Sequence, residues 1–255
     1  MSSRTISVVT PVHPPHVRFL SEAYESLRAQ TLPAGWDWEW LIQHDGDCDT
    51  ALPFVDARVK FATSPAAGEA CTRNMAVARS SGEFVRNLDA DDQLMDGALE
   101  RDVEVLLTHD KVGWVTSGAR DLLPDGEVVS WAFDDPAEGL IEPGWTLDTF
   151  IENEWRLPVH PVTLCVRRDL LIAMGAWMGL ARSADTGLLM ALQTVSAGYF
   201  IATPSLLYRK HAAQVTAQNI HNDPVDKKLR YGMIIDRARA LNDLWSRLTQ
   251  PTTPR

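Results

Sequence analysis

Runs of basic residues are missing from this 255-residue chain, and so are paired cysteines, long apolar stretches and internal repeats. Lysine and arginine number 24 against 34 aspartate and glutamate, a formal net charge of -10. A surface that tracks a nucleic-acid polymer or an anionic membrane needs a cationic patch, so neither partner is expected. Cys48, Cys71 and Cys165 are odd in number and lack CxxC spacing, which argues against a disulfide framework or a zinc site and fits reduced thiols. No apolar stretch approaches the roughly 18 residues of a membrane span. The opening MSSRTISVVTPVH lacks the apolar core of a signal peptide. A cytoplasmic protein without a membrane span is the expectation, with residues 251–255 as a frayed tail.

What is present is ordinary globular composition, 45% hydrophobic and 23% charged. The length suits one large α/β domain, or one domain with a tail. Residues 6–10 (ISVVT) form a β-branched run closed by prolines, which predicts a buried first strand. Leu20, Tyr24 and Leu27 recur at helical spacing within 19–30. Strands are predicted over 38–44, 59–62 and 83–88, with a helix over 71–80 between the last two. Trp36, Trp38 and Trp40 alternate along the entering strand and are expected to pack. Strand–helix alternation at these intervals implies a mainly parallel, doubly wound sheet, whose ligands bind at the carboxyl ends of the strands. Pro11, Asp45 and Asp89 fall there.

Past Asp92 the pattern changes. A helix is predicted over 98–107, and a hairpin pairs 112–116 with 128–132 around Pro124-Asp125-Gly126. Residues 136–145 read as a loop, 163–166 as a strand, 169–174 and 185–195 as helices, and 199–202 and 206–208 as one or two final strands. Residues 227–248 are amphipathic and helical.

Asp89-Ala90-Asp91 directly follows a predicted buried strand. Two carboxylates at alternate positions can share a divalent cation, which in turn neutralises a diphosphate. Taken alone, such a triplet is more often a loop of solvated acids capping the next helix.

Four stretches occur in order: SVVTPVH, HDGD, AGEACTRNMAVARSSGEF and VRNLDADDQL. Together they resemble the nucleotide-binding half of family 2 glycosyltransferases of GT-A fold. Pro11 and Val12 match the first-strand turn, Asp45 the second Asp of DDGS, Arg73-Asn74 the RN pair, and Asp89 and Asp91 the metal motif. His13 stands where the family usually has an aromatic that stacks on the base, and His44 replaces the first Asp of DDGS. The resemblance implies a nucleotide-sugar donor, most often a UDP-sugar, whose base is read by Asp45. It also implies a Mn²⁺ or Mg²⁺ ion at Asp91 with Asp89 nearby, and a hydroxyl-bearing acceptor. Arg73 either contacts the ribose or phosphates or pairs with an acid such as Asp89.

The resemblance thins after residue 92 but continues. Asp185 matches the Asp of a Glu-Asp pair at a helix start, the general base in inverting members, while Ala184 stands in place of the Glu. Asp185 alternatively caps the helix. Tyr208-Arg209-Lys210-His211, followed by Gln214, resembles the family's YRxHxxQ signature. It implies His211 as a metal ligand or diphosphate contact and Arg209 and Lys210 as phosphate contacts. His160 and Trp177, with Trp131, Trp145 and Trp155, are candidates on the acceptor side.

The expected organisation is one GT-A domain over 1–215, with nucleotide-binding (1–92) and acceptor (93–215) halves, and a helical tail over 216–255. Two alternatives stand beside this reading. One is a nucleotide-sugar-binding protein that has lost turnover, suggested by Ala184 and His13. The other is a nucleotidyltransferase, which ought to carry a glycine-rich basic loop where this chain has PVHPPHVRF.

Overall fold

In this computed structural model, which describes residues 3–48, 51–130, 135–212, 214 and 223–249, β1 (Arg4–Val12) runs through the interior. Residues 6–10 are all buried. Val8 faces one apolar layer and Val9 the other, as expected of a strand covered on both sides. The chain continues through a short 3₁₀ helix (Pro14–Phe19), α1 (Leu20–Arg28), β2 (Trp36–Asp45), β3 (Val59–Ser64), α2 (Glu69–Ala78) and β4 (Phe84–Asn87). These four strands are parallel in the order β3-β2-β1-β4.

The second half extends the same sheet. It comprises β5 (Gln93–Leu94), α3 (Ala98–Thr108), β6 (Val112–Leu122), β7 (Val128–Ser130), β8 (Gly139–Ile141) and α4 (Trp145–Glu152). β9 (Cys165–Arg167), α5 (Arg168–Ala173), α6 (Ala184–Val195), β10 (Ala197–Arg209) and α7 (Pro224–Thr249) follow. The order continues β9-β6-β10-β5, with β7 on β6 and β8 on β10. β6 and β10 are parallel, while β9 is antiparallel to both β4 and β6. The result is a mixed α/β sheet, parallel from β3 to β4 and between β6 and β10, with the antiparallel β9 joining the two parts. Among the described residues no helix is long and apolar enough to cross a membrane.

Several elements depart from the sequence expectation. Residues 136–145, expected as loop, contain β8 and the start of α4. The final strand is a single one, β10, whose register with β6 shifts between Ile201 and Leu206. Pro204 sits in that gap, and a proline donates no ladder hydrogen bond, so the break there is physical. A hairpin forms around the expected turn, but 128–130 pairs with 120–122 of β6 and not with 112–116, because β6 runs on to Leu122; residues 131 and 132 lie outside the described residues.

The three entering tryptophans do pack. Trp36 stacks on Phe84, Arg58 lies over Trp38 at 3.6 Å, and the Trp40 indole donates to Thr10 Oγ1 at 2.8 Å. β4 is also tied to α3 by a fully buried pair, Arg86 with Asp102 at 2.8 Å. Desolvation raises the Asp102 carboxyl to about 6 against the pull of Arg86.

Candidate functional site

β1, β2 and β4 end on one edge of the sheet, where doubly wound folds place their ligands. A cavity of about 860 Å³ opens there. One wall is formed by Pro11 and Val12 at the end of β1 with His13 after it, Asp45 at the end of β2, Glu69 at the start of α2, and Asp89 and Asp91 after β4. Another wall comes from residues 153–162, the segment 181–186 and two side chains of α7, Lys227 and Tyr231. α7 lies beyond the expected 1–215 boundary, yet it packs on α6 through Ile234 and Ala238 and supplies part of the site.

The turn after β4 is built to present its carboxylates. Leu88 N–H bonds back to Val9, Ala90 is buried, and Asp92 accepts the Arg209 N–H at 2.9 Å. Asp91 Oδ2 lies 2.8 Å from His211 Nε2. His16, on the 3₁₀ helix after β1, brings a third donor: one atom each of His16, Asp91 and His211 falls within 4.8 Å of the others. Two imidazole nitrogens and a carboxylate oxygen suit a divalent transition ion. Gln214 closes this corner, donating to the Arg209 carbonyl and accepting from His211 N–H. His16 was not singled out from sequence; a second histidine three residues after His13, on a one-to-two-turn helix, was the available signal.

Beneath the cavity lies Arg73, with no exposed side-chain surface. It contacts Glu69 and Asp89 at 2.5 Å and Asp185 at 3.3 Å, and donates to Asn87 at 3.0 Å. Burial alone would lower the guanidinium pKa, but Asp185, Asp89 and Glu69 outweigh it and raise it. Three carboxylates around one cation leave a negative surplus. Arg73 pulls Glu69 down, yet desolvation and the other two acids carry it up to about 7. Desolvation and Asp89 likewise raise Asp185, against Arg73 and a hydrogen bond from Trp177. Of the two roles open for Arg73, the structure displays ion pairing; the residue does not line the cavity.

Trp177 is corrected from a sugar-stacking candidate. It is buried, and its indole donates to Asp185 Oδ1 at 2.6 Å. Asn74 grips the Trp177 main chain from both sides, at 3.0 Å each way. The RN pair therefore works as a unit: Arg73 gathers the carboxylates while Asn74 holds the residue that orients Asp185.

Arg209 and Lys210 also differ from expectation, because neither lines the cavity. Arg209 supports the Asp91 main chain from behind and pairs with Glu22; Lys210 turns to Asp121 at 3.2 Å. Asp45 lines the cavity, and its carboxylate accepts from Ala67 N–H at 2.7 Å and from Gly68 N–H at 3.2 Å. It thereby fixes the loop before α2 while retaining acceptor capacity. His13 is exposed at the rim, 6.4 Å from His16. His160 lines the cavity 5.0 Å from Tyr208, its pKa lowered to about 4 by desolvation and by Lys210. Trp155 lines the cavity; Trp145 does not, and Trp131 lies outside the described residues.

The sheet order, with carboxylates gathered at the ends of its parallel strands around one cavity, is that of a GT-A-type α/β fold. The family model for glycosyl transferase family 2 matches residues 7–139, and the chain belongs to that family. Among curated relatives, it is 30% identical over 114 residues to the Escherichia coli UDP-Glc:alpha-D-GlcNAc-diphosphoundecaprenol beta-1,3-glucosyltransferase WfgD, covering 43% of this chain and 44% of that one. It is 28% identical over 106 residues to the Pasteurella multocida hyaluronan synthase, covering 39% of this chain and 11% of that one. The chain thus spans less than half the length of either relative. The structure of S. aureus TarS 1-349 in complex with UDP superposes with a TM-score of 0.65 at 17% identity, over 82% of this chain and 61% of that chain. The same protein has been solved with UDP-GlcNAc, with a TM-score of 0.65.

Proposed function

We propose that the chain transfers a sugar from a UDP-sugar to a hydroxyl of a small-molecule or glycan acceptor in the cytoplasm, with a divalent metal and inversion at the anomeric carbon. The observation that carries the proposal is one cavity lined by His16, Asp91 and the tethered carboxylate of Asp185, with His211 held on Asp91 at 2.8 Å to complete a three-donor set.

Asp91 and His211, with His16 beside them, would hold Mn²⁺ or Mg²⁺. When bound, the ion supplies charge to offset the negative charge developing on the leaving diphosphate. Asp45 accepts the imide N–H of the base with its remaining lone pairs, and Pro11, Val12 and His13 flank the nucleotide. Asp89 is fixed by Arg73 beside the diphosphate.

Asp185 Oδ1 is committed to Trp177 and Arg73, so Oδ2 is the atom offered to the acceptor hydroxyl. As the hydroxyl oxygen attacks, its proton passes to Oδ2, on the face opposite the leaving group. A carboxyl raised above its usual range accepts a proton more readily than a surface aspartate. Residues 1–215 form the catalytic domain, with the first turns of the 216–255 segment's helix completing one wall.

Calorimetry with UDP, in the presence and absence of Mn²⁺, tests the donor half of this reading. Binding that requires the metal supports it. Affinity independent of both the metal and Asp91→Asn would contradict it.

A further inference from the structure

The arginine and lysine side chains that line the cavity all lie away from the strand ends. Asp45, Glu69, Asp89 and Asp91 line the wall made by the strand ends. The rest of the lining carries all three of its cations, Arg156, Arg182 and Lys227, together with the acids Asp135, Glu154 and Asp185. A metal-bound diphosphate complements the first wall. The second wall offers cations beside the proposed base, where the acceptor must lie.

Arg182 is incompletely satisfied there. Its side chain is 17% exposed, and its one ion pair among the described residues is to Asp226 Oδ2 at 3.5 Å. Arg230 holds that same oxygen at 2.7 Å. Arg182 Nε is buried and donates to no acceptor among the described residues. The Lys227 ammonium has no carboxylate within ion-pair distance among them; it lies 5.6 Å from the Tyr231 ring centroid. Tyr231 in turn meets Trp155 edge-on at 5.6 Å, so cations and an aromatic surface share this wall.

Arg182 precedes Asp185 by three residues, so their Cα atoms are at most about 11 Å apart. That is the span of one or two sugar rings. Guanidinium and ammonium groups at such a place match an oxyanion, and they would also offset repulsion between an incoming anion and the donor diphosphate.

We propose that the acceptor is anionic: Arg182 and Lys227, with Arg156 beside them, bind a phosphate or carboxylate on or next to the sugar whose hydroxyl faces Asp185. The inference rests on the glycosyltransferase reading above and adds the acceptor class to it.

The test loads the protein with UDP and Mn²⁺, so that an added anion has no access to the diphosphate site. Methyl glucoside, glucose 1-phosphate and glucuronic acid are then titrated into wild type, Arg182→Gln and Lys227→Gln, with binding followed by ligand-observed NMR. One or both anionic sugars should bind at least about tenfold more tightly than the neutral one. The preferred anion then identifies phosphate or carboxylate as the group. The preference should shrink in each variant and between 50 and 200 mM salt, as roughly expected for exposed charges, while UDP affinity stays unchanged. Equal affinity for neutral and anionic sugars, or a preference untouched in both variants, would overturn the proposal. UDP that fails to bind at the outset would overturn the underlying reading together with it; UDP that binds without any anion preference overturns the acceptor assignment alone.

Discussion

The Trp177 indole N–H donates to Asp185 Oδ1 at 2.6 Å, and the bond is maintained by Asn74, which holds the Trp177 main chain from α2. Trp177→Phe keeps most of the buried apolar volume and removes only this donor. Turnover is expected to fall about tenfold, the scale of one positioned hydrogen bond. The acid limb of the pH–rate profile should also move to higher pH, because the bond lowers the Asp185 pKa. Steady-state rates across pH read both effects. A lower rate with an unmoved limb would reduce Trp177 to a packing residue.

Metal binding should depend on all three donors of the His16–Asp91–His211 set. His16→Ala is expected to weaken Mn²⁺ binding to the UDP complex by roughly tenfold or more, and Asp91→Asn to abolish it. Electron paramagnetic resonance of free Mn²⁺ measures this without reference to turnover. Unchanged affinity in His16→Ala would remove that residue from the set.

Glu69 yields a stability prediction with a definite sign. Its folded pKa of about 7 lies above the ordinary value of 4.5, so the folded state holds the extra proton between those limits. Its contribution is therefore fully present below about 4.5 and is lost as pH rises through about 7. Glu69→Gln removes the titration. The melting temperature of the variant relative to wild type should climb between pH 4.5 and 7.5. A constant difference across that window would show that Glu69 is not perturbed in this way.

Arg73 is the one cation touching Glu69, Asp89 and Asp185 together among the described residues. Arg73→Gln leaves those acids uncompensated and should destabilise the fold by about 3–5 kcal/mol, the usual cost of breaking a buried ionic cluster. Because protonation relieves the repulsion, the loss should be smaller at pH 5 than at pH 8. Urea unfolding at the two pH values provides the comparison. An equal loss at both would locate the cost in packing.

Much of the nucleotide half was legible in the sequence because β1, β2 and β4 are buried on both faces. ISVVT reads as a β-branched run and EFVRNL as Phe84-Val85 closing on Leu88, and each leads into the turn that carries chemistry. Asp91 and His211 were legible only as members of two separate stretches; the 2.8 Å contact between them arises where β10 passes beside the turn after β4. The misplaced residues share a physical cause. Trp177, Arg209 and Lys210 are of types able to stack or bind phosphate, and sequence does not say which way they turn. Their actual partners, Asp185, Glu22 and Asp121, come from other elements of the fold. β8 was hidden by the glycines and prolines around a three-residue strand, too short for a period to show.

The proposed role of Asp185 as acceptor of the proton in a metal-dependent transfer is open to direct measurement. Asp185→Asn preserves side-chain volume and can still accept from Trp177. Sugar transfer at saturating UDP-sugar, Mn²⁺ and acceptor, measured beside donor affinity and a melting curve, separates catalysis from structure. The expected result is a fall in turnover of roughly 10²–10⁴-fold with donor affinity and melting temperature near those of wild type. Near-normal turnover in a folded, donor-binding variant would contradict the account.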